Sequence, residues 1–241
     1  MFRQKFAAGV ALAFAVVIGI QTNVFAFGKA KHEKTFKVRI ENISSPDGIV
    51  TEGGAKYPFA LSPGLFVVNH RKNYFFSEGE KADGALEAQA EDGNPELLSK
   101  KYLTKVGGLF TGVFNTPVGS DKASPILPGG VFEFTFTASE GMRLSLIAMF
   151  GQSNDLFYSP KQAIDLFDAK GNALTGDITD SLLLWDAGTE VNQAPGLGEE
   201  QGPRQKMPNT GKVENGKVGL VKDGFTYPNT KDVLRVTITA E

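Results

Sequence analysis

Alternation of apolar and polar residues is the strongest signal along this chain. Over Thr35–Ile43, Phe36, Val38 and Ile40 alternate with Lys37, Arg39 and Glu41. Over Val131–Thr137, Phe132, Phe134 and Phe136 alternate with Glu133, Thr135 and Thr137. A period of two, with β-branched and aromatic residues on one side, predicts strands that bury one face. Arg143–Phe150 follows the second run across Ala138-Ser139-Glu140-Gly141, and this short turn predicts a hairpin. Ala163–Phe167, Leu182–Trp185 and Val233–Thr239 are further predicted strands, and Asp168–Asn172 reads as a turn in which Gly171 supplies a positive φ.

Helical signal is confined to one region. Ala82–Glu91 is rich in Ala, Glu and Leu and is stopped by Asp92-Gly93. Asn94-Pro95-Glu96 then has the pattern of an N-cap followed by Pro at the first helical position, opening a second short helix towards Leu103. Many short strands with one helical insertion predict an all-β fold, an antiparallel β-sandwich. Gly188–Gly219 is rich in Gly, Pro, Asn, Gln and Glu, which predicts a long loop or a mobile excursion.

Composition narrows the chemistry. The chain has 241 residues, is 41% hydrophobic and 22% charged, and balances 25 Lys and Arg against 27 Asp and Glu. That is an ordinary globular composition, and its near-neutral charge argues against nucleic acid as a partner. With no Cys there is no disulfide framework, thiolate metal site, Cys nucleophile or lipid-carrying cysteine. Met1–Ala26 reads as a cleavable export signal. Arg3 and Lys5 precede an apolar run of about 15 residues, shorter than the ~20 of a spanning helix, and Val24-Phe25-Ala26 offers a cleavage site. Loss of Arg3 and Lys5 would move the net charge from −2 to −4. The expected product is secreted or periplasmic, without a stable membrane anchor, with 27–34 as a lead-in and 35–241 as the folded domain.

Motifs for catalysis are sparse. The sequence contains no GxSxG elbow, no phosphate loop, no HExxH and no GxGxxG before a helix. The two histidines, His32 and His70, read as a lead-in residue and a surface or hydrogen-bonded residue. Paired carboxylates raise glycoside hydrolysis, but Asp168, Asp177, Asp180 and Asp223 sit in turn contexts. Two acidic segments differ. Ser153-Asn154-Asp155-Leu156-Phe157 and Trp185-Asp186-Ala187-Gly188-Thr189-Glu190 each set an Asp at a strand end beside an aromatic. Carboxylates converging at the rim of a sandwich suit Ca²⁺, a hard cation that takes six to eight oxygens.

At these segments the chain resembles the spondin domain, the module found in F-spondin and mindin and in bacterial secreted proteins. Gln152-Ser153-Asn154-Asp155-Leu156-Phe157 is similar to the family's Ser-Pro-Asp-Trp-Phe, and Leu184-Trp185-Asp186-Ala187-Gly188-Thr189 to its Tyr-Asp-Ala-Gly-Thr. Asn154 and Leu156 stand where the family has Pro and Trp. Phe76–Glu80, Ala88–Pro95, Asn192–Gly198 and Pro203-Arg204-Gln205 resemble the bacterial branch, and the likeness runs over about Thr35–Glu241 in order. The resemblance implies a C2-like β-sandwich with one Ca²⁺ at its loop end, held by Asp155, Asp186 and, by strand order, Glu133. It also implies a non-catalytic module for adhesion or binding, whose partner is an extracellular or envelope protein or glycan. A carbohydrate-binding module, supported by 19 Phe, 5 Tyr and 1 Trp, is the alternative reading, with an envelope hydrolase behind it. Lipid engagement through the loop tips has no basic patch to support it.

Overall fold

The computed structural model describes residues 33–51, 53–70, 75–103 and 110–241. The expected export signal Met1–Ala26 and most of the lead-in lie outside the described residues. In chain order the elements are β1 (Glu33–Asn42), β2 (Ile49–Val50), β3 (Lys56–Tyr57), β4 (Leu61–Asn69), α1 (Gly84–Asp92), α2 (Glu96–Leu103), β5 (Phe110–Phe114), β6 (Val131–Ser139) and β7 (Arg143–Phe150). They continue with β8 (Leu156–Pro160), β9 (Ile164–Asp165), β10 (Gly176–Asp177), β11 (Leu182–Asp186), β12 (Gly219–Leu220), α3 (Thr230–Val233) and β13 (Leu234–Ala240).

All strand pairing is antiparallel, helix accounts for only 12% of the chain, and the fold is an all-β sandwich. One main sheet has the order β10-β13-β1-β6, the other β12-β11-β8-β7-β4-β5 with β9 attached to β7, and β2 and β3 pair as a separate two-stranded sheet. Period-2 patterning decides the first sheet. Phe36, Val38 and Ile40 of β1, Phe132, Phe134 and Phe136 of β6, and Val236 and Ile238 of β13 all point into one core. Phe66, Leu144, Leu146, Phe150 and Tyr158 meet them from the second sheet. Phe66 stacks on Phe134 with ring centroids 4.1 Å apart.

The second sheet is buried on both faces. Leu65, Val67, Ile147, Phe157 and Trp185 on its far side form a second core with Leu86, Ala90, Leu98 and Tyr102 of α1 and α2. A strand covered on both sides carries apolar residues at every position, so β4 reads Leu65-Phe66-Val67-Val68 without alternation. The helices end as their sequence directs. Asp83 Oδ1 accepts hydrogen bonds from the Ala85 and Leu86 amides, and Gly93 closes α1 at φ 61°. Asn94 Oδ1 accepts from the Glu96 amide at 3.0 Å to open α2.

The expected hairpin across Glu140-Gly141 is replaced by a crossing between sheets. β6 pairs with β1, whereas β7 pairs with β4 and β8. The reason lies in the outer faces. β6 turns Glu133 and Thr135 to solvent, while Leu144–Phe150 of β7, apolar but for Ser145, is buried on both faces and takes a position covered from both sides.

Candidate metal centre

Strand register builds the site. β11 runs antiparallel to β8 with Trp185 opposite Phe157 and Asp186 opposite Leu156. Asp155, one residue before β8, and Asp186, the last residue of β11, therefore meet at one end of the sheet. The Ala187 amide donates to the Asp155 carbonyl at 3.2 Å, which fixes the two chain ends together.

The loop after β11 then folds back over these carboxylates. Asp186 Oδ1 accepts from the Gly188 amide at 2.7 Å, and Gly188 sits at φ 67°. That turn aims the next two amides at Asp155. Its Oδ2 accepts from Thr189 N at 2.7 Å, Glu190 N at 3.1 Å and the Thr189 hydroxyl at 3.1 Å. Asn192 Nδ2 donates to Asp186 Oδ2 at 2.7 Å. The expected excursion Gly188–Gly219 is a tied loop whose two arms pair. Val191 N donates to Lys212 O at 2.8 Å, Glu214 N to Thr189 O at 2.9 Å and Gly216 N to Gly188 O at 2.7 Å. This pairing carries the exposed Glu214 to the two aspartates.

Asp155, Asp186 and Glu214 place one carboxylate oxygen each within 4.8 Å of one another. No lysine or arginine among the described residues forms an ion pair with any of them. Asp155 is fully buried, and its Oδ1 has no hydrogen-bond partner, nor has the buried Asn192 Oδ1. Electrostatics record the crowding. Burial, reinforced by the Asp186 charge and opposed by the Thr189 and Glu190 amides, pushes Asp155 up to about 7. Burial also raises Asp186, with the Asp223 charge adding to it. Glu214 is raised by burial, then by Asp186 and Asp223. Asp223 accepts a hydrogen bond from the Tyr227 hydroxyl, whose own proton is held more tightly by burial and by that carboxylate.

An orphaned, buried carboxylate oxygen on a residue gathered with two further carboxylates is a fit for a hard cation, which would supply the missing partner. Asp155, Asp186 and Glu214 would hold it, and the ion's chemistry there would be the joining of charges that otherwise repel. Glu133 is not brought to this place. It lies on the outer face of the other sheet, opposite Arg39 in the β1–β6 register, and pairs with Lys37 at 3.4 Å and Arg39 at 3.5 Å. Strand order placed it before Asp155 in the chain, but the crossing at Glu140-Gly141 carries β7 and β8 into the opposite sheet. Glu214 was missed because Val213-Glu214-Asn215 has no periodicity, and its position depends on how two loop arms pair.

The aromatic residues are mostly interior. Trp185, Tyr158 and Phe157 are fully buried, and Phe110 and Phe225 are the aromatics exposed by more than 40% among the described residues. His70 Nδ1 lies 3.0 Å from the Gly141 carbonyl, a structural contact at the sheet crossing. No family model matches the chain, and no curated protein matches it either.

Proposed function

We propose that this protein is an exported, non-catalytic binding module of the spondin-domain kind, whose loop end is stabilised by one Ca²⁺ held by Asp155, Asp186 and Glu214. The observation that carries the reading is the unpartnered Oδ1 of Asp155, fully buried beside two more carboxylates. Leaving a buried charged oxygen without a partner is costly, and a cation at that point removes the cost. The ligand set is oxygen alone, which favours calcium over zinc or copper. Burial also argues for a structural ion over a catalytic acid, because an ion can reach an oxygen that a glycoside or ester cannot touch. Export is supported by the charged, apolar and small-residue order of Met1–Ala26. No helix among the described residues is long and apolar enough to cross a membrane. The partner is an extracellular or envelope protein or glycan.

Melting temperature in EGTA, calcium and magnesium tests the reading. A site with Kd near ~0.1 mM adds about 1.8 kcal/mol at ~2 mM calcium, or roughly 4–7 °C for a domain of this size. The rise is expected with calcium, to be much smaller with magnesium, and to vanish in the Asp155→Asn, Asp186→Asn double variant. Asn keeps an acceptor for the Thr189 and Glu190 amides, so the variant still folds. A calcium response that survives both changes overturns the site.

A further inference from the structure

Beside the metal centre, a separate cavity of about 160 Å³ opens between α1 and the paired loop arms. Glu87 and Glu91 of α1 line one side and Glu190 the other. Glu91 is only 2% exposed, and its Oε2 has no hydrogen-bond partner. Glu190, also 2% exposed, is fixed in place: Oε1 accepts from the Gly211 amide at 2.7 Å and Oε2 from Asn154 Nδ2 at 3.4 Å. No lysine or arginine among the described residues forms an ion pair with Glu87, Glu91 or Glu190. Lys81 also lines the cavity but pairs with none of these carboxylates, so the buried Glu91 is left open to a positive partner from outside.

The shape says which kind. Among the described residues only Asp155, Asp186 and Glu214 gather three carboxylates within 4.8 Å, so Glu91 and Glu190 do not form a second compact cage for a bare metal ion. The cavity holds far more than one ion, and Ala82 and Val213 give it an apolar wall beside the polar Thr189, Asn209 and Asn215. Buried carboxylates next to an apolar wall match a cation carried on a hydrocarbon stem. We propose that this cavity binds an alkylammonium group, with Glu91 and Glu190 accepting its hydrogen bonds and Ala82 and Val213 packing on its methylene stem. The group is a lysine side chain of a partner protein or a free diamine. The proposal rests on the binding-module reading for that biological source, and the cavity shares Thr189 and Glu190 with the loop that holds Asp155, so binding is read both with and without calcium.

Calorimetric titration of the mature protein tests it, at saturating calcium and again in EGTA. The probes are Nα-acetyl-lysine methylamide, cadaverine and, as the uncharged match, Nα-acetyl-norleucine methylamide. Both amines are expected to bind and the norleucine compound not to. Tighter binding of the lysine compound assigns a protein partner, and tighter binding of cadaverine a free diamine. Glu91→Gln should weaken the amines about ten-fold or more, while Glu96→Gln on the exposed side of α2 leaves them unchanged. Glu91→Gln must keep the calcium-induced rise in melting temperature, which separates loss of this site from loss of the metal centre. Ala82→Val, which narrows the apolar wall and spares every carboxylate, should also weaken the amines. Amines that bind no better than the norleucine compound, or as well to Glu91→Gln as to the parent, overturn the proposal. So does a second calcium ion that is lost in Glu91→Gln without any amine binding.

Discussion

Glu133 and Asp155 differ in their neighbours and not in their chemistry. Both are carboxylates within two residues of buried aromatics in sequence. Across the β1–β6 register Glu133 meets Arg39, with Lys37 beside it, at the water interface. Asp155 meets two amides, a hydroxyl and further carboxylates in the interior. A surface ion pair of the first kind contributes about 0–1 kcal/mol. Glu133→Gln is therefore expected to cost less than about 1 kcal/mol in urea unfolding and to leave the calcium-induced melting shift intact. Loss of that shift in Glu133→Gln would return this residue to the ligand set. Asp155 and Asp186 stand out in the sequence because each borders an apolar run, Asp155 just before Leu156-Phe157-Tyr158 and Asp186 just after Leu182–Trp185. Glu214 has no such marker, and its place is given by the pairing of Glu214 N with Thr189 O.

At the scale of the element, alternation reveals the strands of the first sheet and hides part of the second. β1, β6 and β13 have one wet face, so their period survives in the sequence. β4 has none, so Leu65-Phe66-Val67-Val68 carries no period to read. α1 and α2 were legible for a local reason, since Asp83, Gly93 and Asn94 act on backbone groups within a few residues, whereas the short α3, which takes Val233 from the expected strand, was not. The loop after β11 depends on one glycine. Gly188 lies at φ 67°, and a Cβ there would stand 2.6 Å from the Lys217 amide nitrogen. Gly188→Ala is expected to cost about 1–3 kcal/mol and to blunt the calcium response, because the amides that hold Asp155 follow directly. Urea unfolding with and without calcium measures both effects. A variant as stable and as responsive as the parent would show that the turn is not what aims Thr189 and Glu190.

At the scale of the molecule, crowded carboxylates set a pH dependence. Burial pushes Asp155 and Glu91 up to about 7, from ordinary values of 3.8 and 4.5. The folded state thus binds these protons more tightly than the unfolded chain. The associated stability is present at low pH and is lost as pH rises through 7. Asp83 and Asp177, held below their ordinary values by hydrogen bonds and a neighbouring cation, act in the opposite sense only below about pH 4. The melting temperature in EGTA is expected to fall from pH 5 to pH 7.5, and the fall to be smaller in calcium, which favours ionised Asp155. A calcium-free melting temperature that climbs over this range would contradict the buried acidic cluster.

The sequence by itself determined the all-β class, the single-faced strands, the two helices of the insertion to within about two residues, and the pair Asp155 and Asp186 as candidates. These follow from side-chain period and from capping groups that act over a few residues. Only the tertiary structure decided that β6 and β7 part into different sheets and that Glu133 faces water. It also decided that Glu214 joins the aspartates and that Glu91 is buried opposite Glu190. Each of these is a contact between segments far apart in the chain, fixed by which faces can be covered, and no local pattern of residues encodes it.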